Sequence, residues 1–364
     1  MPDTEPAPPA RWAAAALRLL DADRDTTPPT PLRPVPTGHD GVRILLKDES
    51  ALPGGTLKHR AARAMLRHAI ASGRITENTP LVEATGGGAA HAQAALAKRL
   101  GLPYTAVLPG EPDPARAAPL HDLGADCRFV TPPLAIYDAA RRLAAETGGC
   151  FLDQFAAAEP AIDRAGDDLA AELFDQAPDA SWVVAGIGTG ATAASLGRRI
   201  RTRGLAARLA VADPENSAYF PAWTLGAPDY ATGMPSRIEG IGRPRVEPGF
   251  LPGLYDLVVP VPDAASAAAA RAARAATGLP VGGSTGTCLW AALHLAARLL
   301  REDGGTGGGT VVAVLGDAHP RHLKTVHDDA WCAAKGLDPA PFAAAIDRFT
   351  GGGPWEPPGG QRAP

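Results

Sequence analysis

The chain has 364 residues, enough for two domains with substantial cores, and its 35 Lys plus Arg against 39 Asp plus Glu leave a net charge of -4. That balance provides no broad electropositive field for nucleic acid and points to a small-molecule partner. The four cysteines, Cys127, Cys150, Cys288 and Cys332, show no paired spacing for a zinc site or a disulfide framework. The first residues lack a basic stretch followed by an apolar one, and no run approaches 18 uncharged apolar residues, so the expected setting is the reducing cytoplasm, away from membranes.

Residues 1–10 and 351–364 are rich in proline and glycine and are expected to stay loose. Arg11 to Asp21 has the pattern of a short amphipathic helix, which the prolines near Pro28 stop. From Val42 onward, apolar runs alternate with longer alanine-rich helical patterns. The strand candidates are Val42–Lys47, Leu81–Glu83, Tyr104–Leu108, Cys127–Val130, Trp182–Ala185, Leu209–Ala212, Leu257–Pro260 and Val311–Leu315. This is the pattern of an α/β fold with mostly parallel sheets covered by helices.

Ligands of open parallel sheets bind beyond the carboxyl ends of the strands, where loops enter helices. Four segments qualify. Lys58 closes the turn Pro53-Gly54-Gly55-Thr56-Leu57 just before a helical pattern. A lysine partly withdrawn from water beside a helix N-terminus loses its proton readily and suits Schiff-base chemistry, whereas the plain alternative is a solvated lysine on a surface helix. Thr85, Gly86, Gly87 and Gly88 precede the helix pattern Ala89–Leu100 and offer amides to a substrate carboxylate, or simply make a tight turn.

Gly188, Thr189, Gly190, Ala191 and Thr192 follow an apolar strand and open a helix, an arrangement of amides and hydroxyls suited to a phosphate monoester. The overlapping Gly186–Ala191 run also fits a dinucleotide fingerprint, with Asp213, 25 residues beyond Gly188, as the ribose carboxylate. Ser284 lies in Gly282-Gly283-Ser284-Thr285-Gly286, where its hydroxyl can meet a ring nitrogen or cap a helix over Cys288–Arg301. An NAD reading leaves Lys58, Thr85–Gly88 and Ser284 unexplained. A cofactor with an aldehyde, a phosphate and a ring nitrogen, pyridoxal 5'-phosphate, uses all of them.

Pro53–Lys58, Glu83–Gly88, Gly188–Thr192, Val281–Thr287 and Gly316-Asp317 occur in the order seen in fold-type II pyridoxal-phosphate enzymes. The chain resembles the cysteine synthase and cystathionine β-synthase family over residues 28 to 345. Phe151–Phe155, Asp213–Ser217, Glu239–Pro248 and Asp328–Trp331 resemble a bacterial branch containing cysteine synthase-like proteins and cysteine desulfhydrases.

The resemblance implies a tryptophan synthase β-like fold. Its smaller domain would span 42–155 and its larger one 28–41 plus 156–345, between an N-terminal tail and short helix (1–27) and a flexible tail (346–364). It implies Lys58 as the cofactor-bearing lysine and proton shuttle, Gly188 to Thr192 as the phosphate cup, Ser284 at the pyridine nitrogen, and Thr85 to Gly88 at the substrate carboxylate. The last loop position usually supplies a side chain to the cofactor's phenolic oxygen. Gly88 cannot, so one charge-assisted hydrogen bond of about 1.5–3 kcal/mol is replaced or forgone.

The implied activity is β-replacement on an activated serine, of O-acetylserine or O-phosphoserine type, by sulfide or a thiol through an aminoacrylate. The alternative is cysteine desulfhydrase β-elimination to pyruvate, ammonia and sulfide. Synthesis of other β-substituted amino acids, serine/threonine dehydration, and a catalytically weak pyridoxal-phosphate-binding regulatory protein complete the set. The implied assembly is a homodimer; no metal, nucleic acid or membrane partner is implied.

Overall fold

The computed structural model describes residues 11–166, 168–234, 236–302 and 308–360. In chain order the elements are α1 (Arg11–Thr26), β1 (Leu32–Val35), β2 (Val42–Asp48), α2 (Lys58–Ala71), β3 (Leu81–Ala84), α3 (Gly88–Leu100), β4 (Tyr104–Pro109), α4 (Pro114–His121), β5 (Asp126–Val130), α5 (Ile136–Thr147), β6 (Cys150–Phe151) and α6 (Gln154–Ala165). There follow α7 (Asp168–Gln176), β7 (Ala180–Gly186), α8 (Ala191–Arg203), β8 (Arg208–Pro214), α9 (Tyr219–Leu225), β9 (Leu257–Val261), α10 (Asp263–Thr277), α11 (Gly283–Glu302), β10 (Gly309–Leu315), α12 (Asp329–Ala334) and α13 (Ala340–Thr350).

Two compact units emerge, Met1–Pro28 with Lys58–Ala165, and Pro29–Leu57 with Gly166–Pro364. The first holds a four-stranded parallel sheet ordered β5-β4-β3-β6. Its β3 is buried at every position, and Val82 and Ala84 pack on Leu143 and Ala144 of α5. The second holds six strands ordered β1-β2-β10-β7-β8-β9, parallel except for β1. Its centre is α11, apolar nearly all round and buried along most of its length, as a helix with no solvent face must be.

Three expectations change. β2 belongs with the larger unit, because it pairs with β10 in unbroken register from Val42↔Gly309 to Asp48↔Leu315. The smaller unit runs on past the expected boundary at residue 155 to Ala165, because α6 packs on α2. The stretch from 346, read as a flexible tail, completes α13 and then anchors Trp355, whose ring lies 4.7 Å from Trp290 and whose Nε1 donates to His294 Nδ1 at 3.3 Å. One tryptophan among glycines and prolines buries enough apolar surface to fix that segment. Residues 1–10 and 361–364, expected to be loose, lie outside the described residues. Among the described residues no helix is long and apolar enough to cross a membrane, and no cluster of His, Cys, Asp or Glu can hold a metal ion.

Candidate active site

In the larger unit, β7 ends at Gly186 and α8 starts at Ala191, so Ile187 to Gly190 turn the chain directly from sheet into helix. Gly190 takes a left-handed conformation, φ 84°, at the helix N-cap, where it supplies no capping side chain. The amides opening α8 therefore face outward with the positive end of the helix dipole. A second segment presses on this turn. A Cβ on Gly188 would stand 2.5 Å from the Gly240 carbonyl oxygen, and one on Gly190 would run into the Gly249 carbonyl. Gly242 N donates to Ile187 O at 2.8 Å and Tyr219 Oη to Gly188 O at 2.6 Å. Sequence reasoning found the turn but not these clamps, which come from segments 28 or more residues away in the chain.

Thr189 is buried, and its Oγ1 accepts from Ala191 N at 3.5 Å; Thr192 stands in the first turn of α8. No acidic side chain occurs from Gly186 to Thr192. Backbone donors, the positive end of the helix dipole and the lack of an acidic side chain suit this turn to an anion.

Ser284 falls inside α11, which begins five residues earlier than the expected Cys288. It is thus a first-turn residue and not the helix N-cap. Its Oγ lies 3.5 Å from where a Cβ on Gly316 would project, so Gly316 leaves the hydroxyl room beyond the end of β10. Thr285 Oγ1 accepts from Gly316 N, and Leu57 N donates to Gly316 O at 2.8 Å. The chain leaves this unit at Leu57, and the next residue is Lys58.

In the smaller unit, Lys58 is the half-buried first residue of α2, beside the orphan amides of that helix and followed by His59, Arg60 and Arg63. The Thr85–Gly88 loop leaves the end of β3 and enters α3 at Gly88, with Gly87 at the N-cap and no side-chain cap. Thr85 N is held by Val107 O at 3.1 Å, and Gly87 N reaches Thr85 Oγ1 at 3.5 Å. From Gly86 to Ala90 the chain carries no polar side chain. Lys58 and Thr85–Gly88 thus belong to one unit, and Gly188–Thr192 and Ser284 to the other.

Beneath the Thr85 loop lies Glu83, a residue quoted in the sequence motif but given no role. It is fully buried, and its carboxylate accepts from Ala84 N (2.9 Å), Gln93 Nε2 (3.0 Å) and Gln154 N (3.2 Å). Tyr104 Oη in turn donates to Gln93 Oε1 at 2.8 Å. Burial pushes the Glu83 carboxyl up to about 8 despite the hydrogen bonds, which act against it. The network ties β3, α3, β4 and α6 together directly under the loop.

Asp213 does not serve as a ribose-binding carboxylate. It is 1% exposed, its Oδ2 accepts from Phe220 N at 2.8 Å, and burial pushes its pKa up to about 7 against the opposing hydrogen bonds from Ser217 and Phe220. It organises the start of α9, and the dinucleotide reading loses its acidic partner.

The family model described as pyridoxal-phosphate dependent enzyme matches residues 24–317. The chain is 44% identical over 349 residues to the L-cysteine desulfhydrase Cds1 of Mycobacterium tuberculosis, covering 93% of this chain and 94% of that protein. It is 29% identical to the N-(2-amino-2-carboxyethyl)-L-glutamate synthase of Ralstonia nicotianae, covering 84% and 88% respectively. In fold it is similar to the crystal structure of O-acetyl serine sulfhydrylase isoform 3 from Entamoeba histolytica, with a TM-score of 0.73 at 21% identity, covering 96% of this chain and 99% of that one.

Proposed function

The chain belongs to the pyridoxal-phosphate dependent enzyme family, a transferase of cysteine synthase type or a carbon–sulfur lyase, and from that premise we propose that it degrades L-cysteine by β-elimination to sulfide, pyruvate and ammonia. The observation carrying this reading is the 44% identity, spread over nearly the full length of both chains, to an L-cysteine desulfhydrase.

The residues fit pyridoxal phosphate. The turn at Gly188–Gly190 tolerates no Cβ at either glycine, opens a helix N-terminus without a side-chain cap and carries no acid, which suits a phosphate; Ser284 offers a neutral hydroxyl for a ring nitrogen. When bound, the cofactor supplies an electron-withdrawing ring that stabilises negative charge at the substrate α-carbon. Lys58 Nζ is assigned to hold the cofactor's aldehyde carbon and, when released by substrate, to carry the α-proton. Lys58 opens α2, and it is the unprotonated amine that performs this task. Gly188 to Thr192 hold the phosphate through backbone donors. The loop from Thr85 to Gly88 receives the substrate carboxylate, and Glu83 fixes the end of β3 from which that loop departs. A hydroxyl, unlike a carboxylate, does not fix a proton on the ring nitrogen, which favours prompt loss of the thiol from the β-carbon over lingering charge on the ring.

β-Replacement on an activated serine is the second reading, favoured by the likeness to the Ralstonia synthase. Supplying cysteine alone separates the two. Sulfide, pyruvate and ammonia in equal amounts support elimination. Cysteine formed from O-acetylserine and sulfide, with no pyruvate from cysteine alone, supports replacement. Borohydride reduction followed by peptide mapping should place the cofactor on Lys58.

A further inference from the structure

The buried stripe of α1 consists of Ala16, Leu20 and Asp23, spaced so that all three face inward. The first two are ordinary core residues. The third is a carboxylate, a group almost never buried unless it is paired. Asp23 is only 4% exposed and gathers three partners from two helices. His59 Nε2 lies 2.8 Å from its Oδ2, Arg63 Nη1 lies 3.4 Å from the same oxygen, and Arg99 Nη1 bonds to Oδ1. His59 and Arg63 stand in the first two turns of α2, and Arg99 in the last turn of α3. His59 is itself 1% exposed and immediately follows Lys58.

We propose that Asp23 is a positioning residue for Lys58, acting through His59, and that α1 is part of the active-site frame. The inference rests on the reading of Lys58 as the cofactor-bearing lysine. Three observations carry it. One of the three contacts of Asp23, the 2.8 Å one to His59, falls on the residue next to Lys58, and Arg63 ties the following turn of α2 to the same carboxylate, so α1 holds the helix start that Lys58 opens. Buried ion pairs add little net stability compared with well-packed apolar groups, whereas they do fix geometry, so a carboxylate on an otherwise apolar stripe is better explained by orientation than by cohesion. The family match begins at residue 24, so α1 through Asp23 stands outside the part of the chain that resembles the family model. Burial alone would push the Asp23 carboxyl upward, yet His59 and Arg99 hold it well below the usual carboxylate range, and it is therefore an anion at working pH.

A built-in control lies on the same pair of helices. Arg67 Nε donates to Asp21 Oδ1 at 2.8 Å, but both side chains are about one-third exposed or more, and such a pair contributes little.

The test uses cofactor-loaded wild-type protein, D23N, H59L and D21N. Three quantities are measured on each: the pH midpoint of the visible absorbance of the cofactor linked to Lys58, the rate at which cysteine bleaches that absorbance, and the thermal transition. In D23N the loss of a negative charge near a cationic linkage should lower the pH midpoint by about half a unit or more. Bleaching should slow about 10-fold in D23N and H59L, since small misplacements of a reacting group are expensive in rate. D21N should match the wild type throughout. If D23N does not fold, H59L, which leaves Asp23 paired with Arg63 and Arg99, decides by its bleaching rate. Wild-type midpoints and bleaching rates in D23N and H59L, with only the thermal transition lowered, overturn the inference and make α1 a purely structural helix. A wild-type protein without the visible absorbance overturns the reading of Lys58, and this inference with it.

Discussion

Replacing Gly190 by alanine separates an anion cup from a mere tight turn, because the structure provides a matched control on the same helix. Gly190 has φ 84° at the start of α8, and Gly204 has φ 59° at its end. Either alanine must enter the left-handed region, at a cost of about 1–2 kcal/mol. A Cβ on Gly204 meets nothing within 4 Å, whereas one on Gly190 overlaps the Gly249 carbonyl, so only G190A must also displace the clamping segment. That segment holds the turn through Gly240 and Gly242 as well, and moving it shifts the amides that open α8. Losing one charge-assisted hydrogen bond of about 1.5–3 kcal/mol weakens binding about 10- to 150-fold. Titrating apo-protein with pyridoxal phosphate, followed by absorbance, should give that loss for G190A and no change for G204A, although denaturant midpoints fall for both. If G190A binds the cofactor within about twofold of the wild type, the phosphate is held elsewhere.

Asp213, with its pKa raised from 3.8 to about 7 by burial, binds a proton in the folded state over a range where the unfolded chain has lost it. Stability from this group is full below about pH 4 and declines by up to about 1.4 kcal/mol per pH unit until pH passes 7. D213N, which retains an acceptor for Phe220 N, should flatten the urea midpoint between pH 5 and pH 7; an unchanged slope would show that Asp213 is ionised in the fold. Lys47 is fully buried, with Nζ bonded to Thr30 O, Glu172 Oε2 and Gln176 Oε1, so K47M should lose about 3 kcal/mol in urea unfolding. R43M, which breaks the exposed pair with Asp179, should lose less than about 1 kcal/mol, and equal losses would show that burial is not what makes the Lys47 contacts matter. The Cys288 thiol is pushed up to about 12 by burial, so brief alkylation at pH 8 should label the half-buried Cys127 and spare Cys288, as peptide mapping would show.

What was legible in the sequence follows the range over which each signal acts. Strand runs, helix patterns and glycine turns are local, and the turns at Thr85–Gly88 and Gly188–Thr192 do lie where strands pass into helices. Pairing partners are not local. Nothing in Val42–Asp48 announces that its neighbour is a strand some 260 residues later, so a domain boundary at residue 42 separates β2 from the sheet it belongs to. Ser284 was ambiguous for a different reason. A capping serine and a first-turn serine look alike until the helix start is known, and three glycines and two threonines around it weaken the helical pattern. Asp23 was the hardest to read. Its position continues the Ala16–Leu20 stripe, but it lies two residues beyond Asp21, where the expected helix ends ahead of the prolines near Pro28. Only the positions of His59, Arg63 and Arg99, drawn from two other helices, turn that carboxylate from a helix terminus in water into the fixed point against which the turn opened by Lys58 is set.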